Sequence, residues 1–287
     1  MSSQLEKYDY EPFADTDEYK QVNSDIIKTW IQIIIEKGTE SIDKLLDIAT
    51  GAGTMVQLFF NLLPSNLKQS AVLCLDQSAE ALKLTQKRLG SEIKKLNLIN
   101  SQIQDMDLPD KSVDVALWGN GIHYLCEDEQ MECLKRIKKV LKPGGLFFFN
   151  TAFYEEARPT KTLPFYRTQV KNAVQFLRQK GIEREKTEKK AEAGKFHPRS
   201  YYEELVSKAG FSLVEAQEFA AELTKDAWEH ISAFQQYAAG ALSGYPMDDA
   251  STAMKNAVEP AILKHGEINN KGNFFVIRNW LAISAQA

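Results

Sequence analysis

The chain is poor in the residues that would staple, anchor or metallate it. Only three cysteines occur in 287 residues, Cys74, Cys126 and Cys133. They form neither a CxxC pair nor an even set, which excludes a disulfide framework and a thiolate metal centre. Among the four histidines, His230 and His265 show no metal-ligand spacing with an acidic pair, so no metal is expected. No apolar run approaches the roughly 18 residues of a membrane span. The opening Met1-Ser2-Ser3-Gln4-Leu5-Glu6 lacks the basic-then-apolar order of a secretory signal. A formal charge of -4, without a basic stripe interleaved with aromatics, speaks against nucleic acid as a partner. What survives is a soluble, cytoplasmic protein whose 44% hydrophobic content suffices for one sizeable core. Its oligomeric state is not legible.

What is present is an alternation. A helical stripe, Tyr19, Val22, Ile26, Trp30, Ile33 and Ile34, predicts a helix over Thr16–Lys37, with Asp15 and Glu18 capping its start. Short apolar runs then read as strands at Lys44–Ala49, Ser70–Leu75, Leu98–Ile103, Val113–Trp118 and Leu146–Thr151. Helical patterns separate most of them: Met55–Leu63, Ala79–Leu89 with Ser78 as cap, and Glu129–Leu141 ahead of Pro143-Gly144-Gly145. Such alternation implies an α/β fold, doubly wound, with a mostly parallel sheet covered by helices on both faces. Two excursions interrupt it, residues 153–199 and about 222–268. Between them lie the helix Ser200–Ala209 and the strand Phe211–Glu218, and the strand region Asn273–Ser284 closes the chain. The mixed-charge stretch Arg178–Lys195 reads as a solvated helix face or a loop.

Polar residues collect at the strand ends. The first strand runs into Asp47-Ile48-Ala49-Thr50-Gly51-Ala52-Gly53, where glycine permits a tight turn and close backbone approach. Asp76 ends the second strand, roughly 20 residues on, where a carboxylate can accept both hydroxyls of a ribose. Gln104-Asp105-Met106 follows the third strand and suits an exocyclic amine and a purine face. Gly119-Asn120-Gly121-Ile122-His123-Tyr124 follows the fourth. A dinucleotide fingerprint would carry a third glycine where Val56 stands, and no Gly-Lys-Ser/Thr loop exists. Asp47 would also sit badly beside a phosphate. It suits a ligand bearing positive charge.

The order of these motifs resembles the class I S-adenosylmethionine-dependent methyltransferases. The resemblance rests on Asp47 to Gly53, Leu75-Asp76-Gln77-Ser78, Gln104 to Asp114, Leu141-Lys142-Pro143-Gly144-Gly145 and Ser200 to Phe211. It departs at Ala49, where the family commonly has glycine. It implies a seven-stranded Rossmann-like sheet with an antiparallel last strand, in a single methyltransferase domain. Residues 1–40 would form an N-terminal helical lid and 41–152 the cofactor-binding half. The substrate-cap insertions would be 153–199 and 222–268, and 200–221 with 269–287 would supply the last strands.

The resemblance also implies S-adenosylmethionine as cofactor and S-adenosylhomocysteine as product. Asp47, Ala49, Gly51 and Gly53 would line the methionine part, Asp76 would hold the ribose, and Gln77, Gln104, Asp105 and Met106 would meet the adenine. Asn120 would lie near the transferred methyl. His123 reads either as a general base or, with Tyr124, as a pocket wall. Tyr8, Tyr10, Phe13 and Tyr19 read as a lid or as packing of the first helix; Trp228, Phe234, Tyr237 and Tyr245 read as an acceptor pocket or as core. No Asn-Pro-Pro-Tyr-like segment follows the fourth strand. The expected activity is therefore methylation of O or N on a small metabolite or natural product of secondary metabolism. Alternatives are a C-methyltransferase of the quinone or isoprenoid type, a protein or RNA methyltransferase, and, more remotely, an NAD(P)-dependent oxidoreductase or a non-catalytic cofactor-binding module.

Overall fold

The short apolar runs fold as strands of one sheet in the computed structural model, which describes residues 9–68, 70–185 and 191–287. In chain order the strands are β1 (Lys44–Ile48), β2 (Ala71–Asp76), β3 (Leu96–Asn100), β4 (Val113–Gly119) and β5 (Leu141–Thr151), then β6 (Ser212–Thr224), β7 (Glu267–Ile268) and β8 (Phe274–Gln286). Their spatial order is β3-β2-β1-β4-β5-β8-β6, and β1 to β5 pair in parallel. β8 runs antiparallel to both β5 and β6, as the family resemblance implies. The two-residue β7, absent from the sequence reading, adds an eighth strand against β8.

Strand periodicity divides the core. Leu45, Val72, Cys74, Leu117 and Phe148 point to one face, where α2 (Asp17–Glu36) and α3 (Thr54–Leu62) pack, Trp30 stacking on Phe148 at 5.4 Å. Leu46, Leu75, Trp118, Phe147 and Phe149 point to the other, under α5 (Glu127–Val140) and α7 (Arg199–Lys208). These are the two covered faces that buried parallel strands require. A short α1 (Glu11–Ala14) precedes α2, and α4 (Ala79–Leu89) lies on β2 and β3, its start capped by the Ser78 hydroxyl accepting from the Ala81 amide. The two excursions fold as α6 (Leu163–Gln179), and as α8 (Lys225–Ala233), α9 (Gln235–Ala241), α10 (Met247–Asn256) and α11 (Val258–His265). α10 packs against α6, α8 and α9, which makes them one helical layer. No helix among the described residues is long and apolar enough to cross a membrane.

Three local expectations need correction. Thr16, not the Asp15–Glu18 pair, caps α2: its hydroxyl accepts from the Tyr19 amide, while Asp15 turns to Arg88 at 2.9 Å and Lys20 at 3.2 Å. β3 ends at Asn100 rather than Ile103, because the Asn100 amide leaves the strand to donate to the carbonyls of Asp76 and Gln77. β5 begins at Leu141, through Pro143-Gly144-Gly145, where the β4–β5 register shifts and Gly144 adopts φ 80°. Tyr8 lies outside the described residues, as do residues 186–190 of the mixed-charge stretch.

The antiparallel pair carries the sheet past its parallel half. The β5–β8 ladder stops at Thr151–Leu281, yet β8 continues to pair with β6 from Trp280 to Phe275. Those residues therefore stand beyond the carboxyl end of β5, above the edge where open α/β sheets bind ligands.

Candidate active site

The turn after β1 is built from left-handed residues. Ala49 (φ 51°), Gly51 (φ 57°) and Gly53 (φ 80°) alternate with ordinary ones, and Gly53 caps α3. A Cβ on Gly53 would come within 3.2–3.3 Å of Leu89 and Thr85, so glycine here also permits close packing on α4. Thr85 fixes the turn from below by donating its hydroxyl to the Gly51 carbonyl at 2.8 Å. At Ala49 a side chain occupies a conformation that favours glycine, which gives a physical meaning to the departure noted in the sequence.

Two carboxylates frame this turn in different ways. Asp47 is buried; its Oδ2 accepts from the Thr50 hydroxyl at 2.5 Å, and its Oδ1 has no partner. Burial pushes the acid up to about 7, the nearby Asp76 charge adds to the rise, and the Thr50 hydroxyl opposes it. Asp76 accepts from the Gly51 amide at 2.9 Å and the Ser78 amide at 2.8 Å. It thus ties the first strand end to the second, leaving the second lone pairs of its oxygens for a ligand. Burial raises its acid as well, against the pull of those amides.

Asn120 closes the cleft at the end of β4. It also takes a left-handed φ, 47°, which asparagine tolerates. Its amide donates to the Asn150 side chain at 3.0 Å, its Oδ1 accepts from the Ala152 amide at 3.1 Å, and its Nδ2 is buried without a partner. Asn150 in turn donates to Asn23 at 2.7 Å, and Asn23 to the Tyr19 carbonyl, so α2 is hydrogen-bonded to the site's floor. Gln77 and Asp105 are exposed at the rim and Gln104 is half-buried. Met106 is buried in the layer under α5, its carbonyl accepting from Arg136. An orphaned buried carboxylate oxygen at Asp47 and an orphaned amide at Asn120 fit a ligand with an ammonium and an acceptor oxygen, as a methionine moiety has.

His123 faces the same end of the sheet. Its Nδ1 lies 3.0 Å from the Thr151 hydroxyl, Nε2 is buried and unpartnered, and the ring stacks on Phe153 at 3.8 Å. Burial holds its pKa well below the usual imidazole value, and the Arg278 charge pushes the same way. Beside it is a small, partly open apolar pocket with free room for about one water molecule. Its walls are Tyr10, Phe13, Phe153, Leu223, Trp228, Ile231, Tyr237 and Trp280, with Asn120, Ala152 and Arg278. Of the aromatics weighed in the sequence, Tyr10, Phe13, Trp228 and Tyr237 meet here. Phe234 is buried against Tyr10 and Tyr124, and Tyr245 packs at the edge of the same core. Arg278, a cation inside the apolar run Phe274–Ile283, was the missed signal, since arginine is almost never fully buried without a reason.

Sheet order, strand-end chemistry and motif order converge on one class: the fold and strand-end site are those of the class I S-adenosylmethionine-dependent methyltransferases. Residues 46–149 match the methyltransferase domain family. No curated protein sequence matches the chain. Among solved structures, a methyltransferase candidate from Bacillus halodurans C-125 is 13% identical, with 89% of this chain and 97% of that one covered and a TM-score of 0.55. A chain from the complex of the Haloferax volcanii Trm112 methyltransferase activator with a methyltransferase candidate is 17% identical over 100% and 99%, at a TM-score of 0.50. The [4+2]-cyclase SpnF is 12% identical over 90% and 79%, at 0.52. Likeness at these identities speaks for the fold alone, and a cyclase among the neighbours illustrates why.

Proposed function

We propose that the enzyme methylates an oxygen or nitrogen of a small molecule, a metabolite or natural product of secondary metabolism, within the cytoplasm. The observation that carries this reading is the narrow, aromatic-lined pocket adjoining Asn120 and Ala152. A narrow, apolar pocket suits a small acceptor, whereas a protein or RNA strand needs an open groove. The net charge of -4 supports the same choice, and three free cysteines accord with a reducing compartment.

In this reading residues 41–152 bind the cofactor, the segment from Asp9 to Thr16 ahead of α2 forms the lid part of residues 1–40, and 153–199 with 222–268 form the substrate cap of one domain. Asp47 would receive the cofactor's ammonium group, Asn120 would sit under its methionine moiety near the methyl, and Asp76 would hold its ribose. Ala49, Gly51 and Gly53 would line the methionine part, with Gln77, Gln104, Asp105 and Met106 around the adenine. When bound, S-adenosylmethionine supplies an electrophilic methyl group on a sulfonium. The chain's own share is alignment and exclusion of water, which in well-oriented reactions is worth roughly 7–11 kcal/mol. His123 would serve as a wall: a ring held neutral with a depressed pKa is a weak proton acceptor. The lack of a strong base also favours acceptors that are nucleophilic without one, such as an amine or, as a second reading, an electron-rich carbon.

Calorimetry with S-adenosylhomocysteine and NADH, then methyl-transfer assays over a metabolite panel, test this reading. Binding of the first ligand alone and turnover on a small acceptor are expected. NADH binding, or turnover only on protein or RNA, would sink it.

A further inference from the structure

We infer that the methyl acceptor carries a carboxylate, which Arg278 binds in the aromatic cavity. The inference rests on reading that cavity as the acceptor site. Arg278 is 3% exposed and stands on the part of β8 that overshoots β5. Its Nε and Nη2 both donate to the Ala152 carbonyl, and Nη1 lies 3.4 Å from the Tyr166 hydroxyl. A guanidinium has five N–H donors in a fixed fork, so two remain, one on each terminal nitrogen. Among the described residues no carboxylate pairs with it.

A second cation sharpens the case. The Arg158 guanidinium lies 3.9 Å from the centre of the Phe196 ring, and Arg278 lies 6.0 Å from the same ring. Both also face Tyr166, at 5.6 and 5.8 Å. Arg158 too lacks a carboxylate, and its buried Nε has no partner at all. Burial and the Arg278 charge both disfavour the charged form of Arg158. Two like charges, one buried and one half-buried, with ring faces, a hydroxyl and one carbonyl for company, are a costly arrangement that an arriving anion relieves.

Holding β8 to the end of β5 explains the fork on Ala152, but it does not explain the second cation or the placement of Arg278 on the cavity wall beside Asn120. A planar monoanion matches the free edge of a planar guanidinium. A dianionic phosphate usually gathers several backbone amides or a helix N-terminus, and the cavity walls are mainly aromatic and aliphatic side chains.

The test is titration calorimetry on the full chain saturated with S-adenosylhomocysteine. Benzoate, 3-phenylpropanoate and indole-3-acetate are each compared with their methyl ester and phosphonate analogue. At least one carboxylate is expected to bind about tenfold more tightly than its ester, the scale of a charge-assisted hydrogen bond. Arg278→Gln should bring that ratio to about one with the affinity for S-adenosylhomocysteine unchanged, and Arg278→Lys should restore part of it. Should Arg278→Gln not fold, Arg158→Gln, expected to lower the same ratio at least about threefold, takes its place beside the wild-type ratio. Esters binding as well as acids, phosphonates binding about tenfold better than carboxylates, or a ratio untouched in folded variants would each overturn the inference. If S-adenosylhomocysteine itself fails to bind, the methyltransferase reading falls. The acid-to-ester ratio of the free chain still judges the anion site.

Discussion

The two halves of the site are built with opposite electrostatics and by opposite means. The proposed cofactor half is a local structure. A left-handed turn and two carboxylates, Asp47 and Asp76, arise from segments only 29 residues apart in numbering and are knitted by the Gly51 and Ser78 amides. The proposed acceptor half is assembled from Tyr10, Phe153, Trp228, Tyr237 and Arg278, drawn from almost the whole chain, and its buried charge is cationic. An acidic pocket suits a positively charged donor, and a cationic one an anionic acceptor. The contrast explains how two dissimilar ligands can be kept on their own sides of one narrow site.

The hardest blow to this contrast should come from Asp47→Asn. If Asp47 meets the cofactor's ammonium group, removing its charge should weaken S-adenosylhomocysteine binding by roughly 10- to 150-fold, the range for a hydrogen bond to a charged group. Stability should move the other way. A carboxyl whose pKa rises from 3.8 unfolded to about 7 folded contributes stability below the lower value, which is lost as pH climbs through the higher. At pH 8 the substituted free protein should therefore melt above the wild type. Calorimetry and thermal denaturation measure the two halves of this prediction, and a variant that binds normally would remove Asp47 from the cofactor site.

The same acid sharpens the comparison through pH. If the ligand's ammonium group requires ionised Asp47, affinity should fall as protons compete below pH 7. Between pH 8 and pH 6 the fall should be about tenfold, with proton release visible in buffers of different ionisation heat. The acid-to-ester preference of the Arg278 side should stay flat over that window, because arginine keeps its proton throughout. A flat cofactor profile would mean that the ligand's charge is met elsewhere.

How much of this was legible depends on the same contrast. The Asp47–Gly53 turn and the Asp76 strand end could be read because each is a short segment whose spacing records its geometry. Ser78 as a helix cap was legible for the same reason. Asn100 ended β3 early through a side chain reaching backbone carbonyls in the neighbouring strand, which no local pattern encodes. Arg278 could be seen as a charge in an apolar strand, but its place above the site depends on the β5–β8 register stopping at Leu281. The Asn23–Asn150 bond, joining residues 127 apart, was beyond reach for the same reason.

His123 belongs to the boundary between the halves, and its expected effect is smaller. With a depressed pKa and a ring stacked on Phe153, it should act as a wall. His123→Gln should then reduce turnover less than about tenfold, well short of the 10²–10⁴-fold loss that follows removal of a working base. Steady-state assays decide, and a loss of several hundredfold with cofactor affinity intact would restore the base reading.

The smallest effect lies at Ala49. Its φ of 51° strains an L side chain by roughly 1–2 kcal/mol relative to the right-handed region, and glycine escapes most of that strain. Ala49→Gly also loosens the unfolded chain, which costs about 0.4–1 kcal/mol, and gives up the partly buried methyl on the layer containing Ile48 and Leu75. The terms nearly offset, so the expected outcome is a gain of about 0.5 kcal/mol, or 1–2 °C in Tm for a chain of this size. Cofactor affinity should stay within about twofold, because the backbone geometry presented to the ligand is unchanged. A drop in Tm would show that the methyl's packing outweighs the strain. The alanine would then be a structural choice of this turn, and the donor half would owe its shape to side chains as much as to backbone freedom.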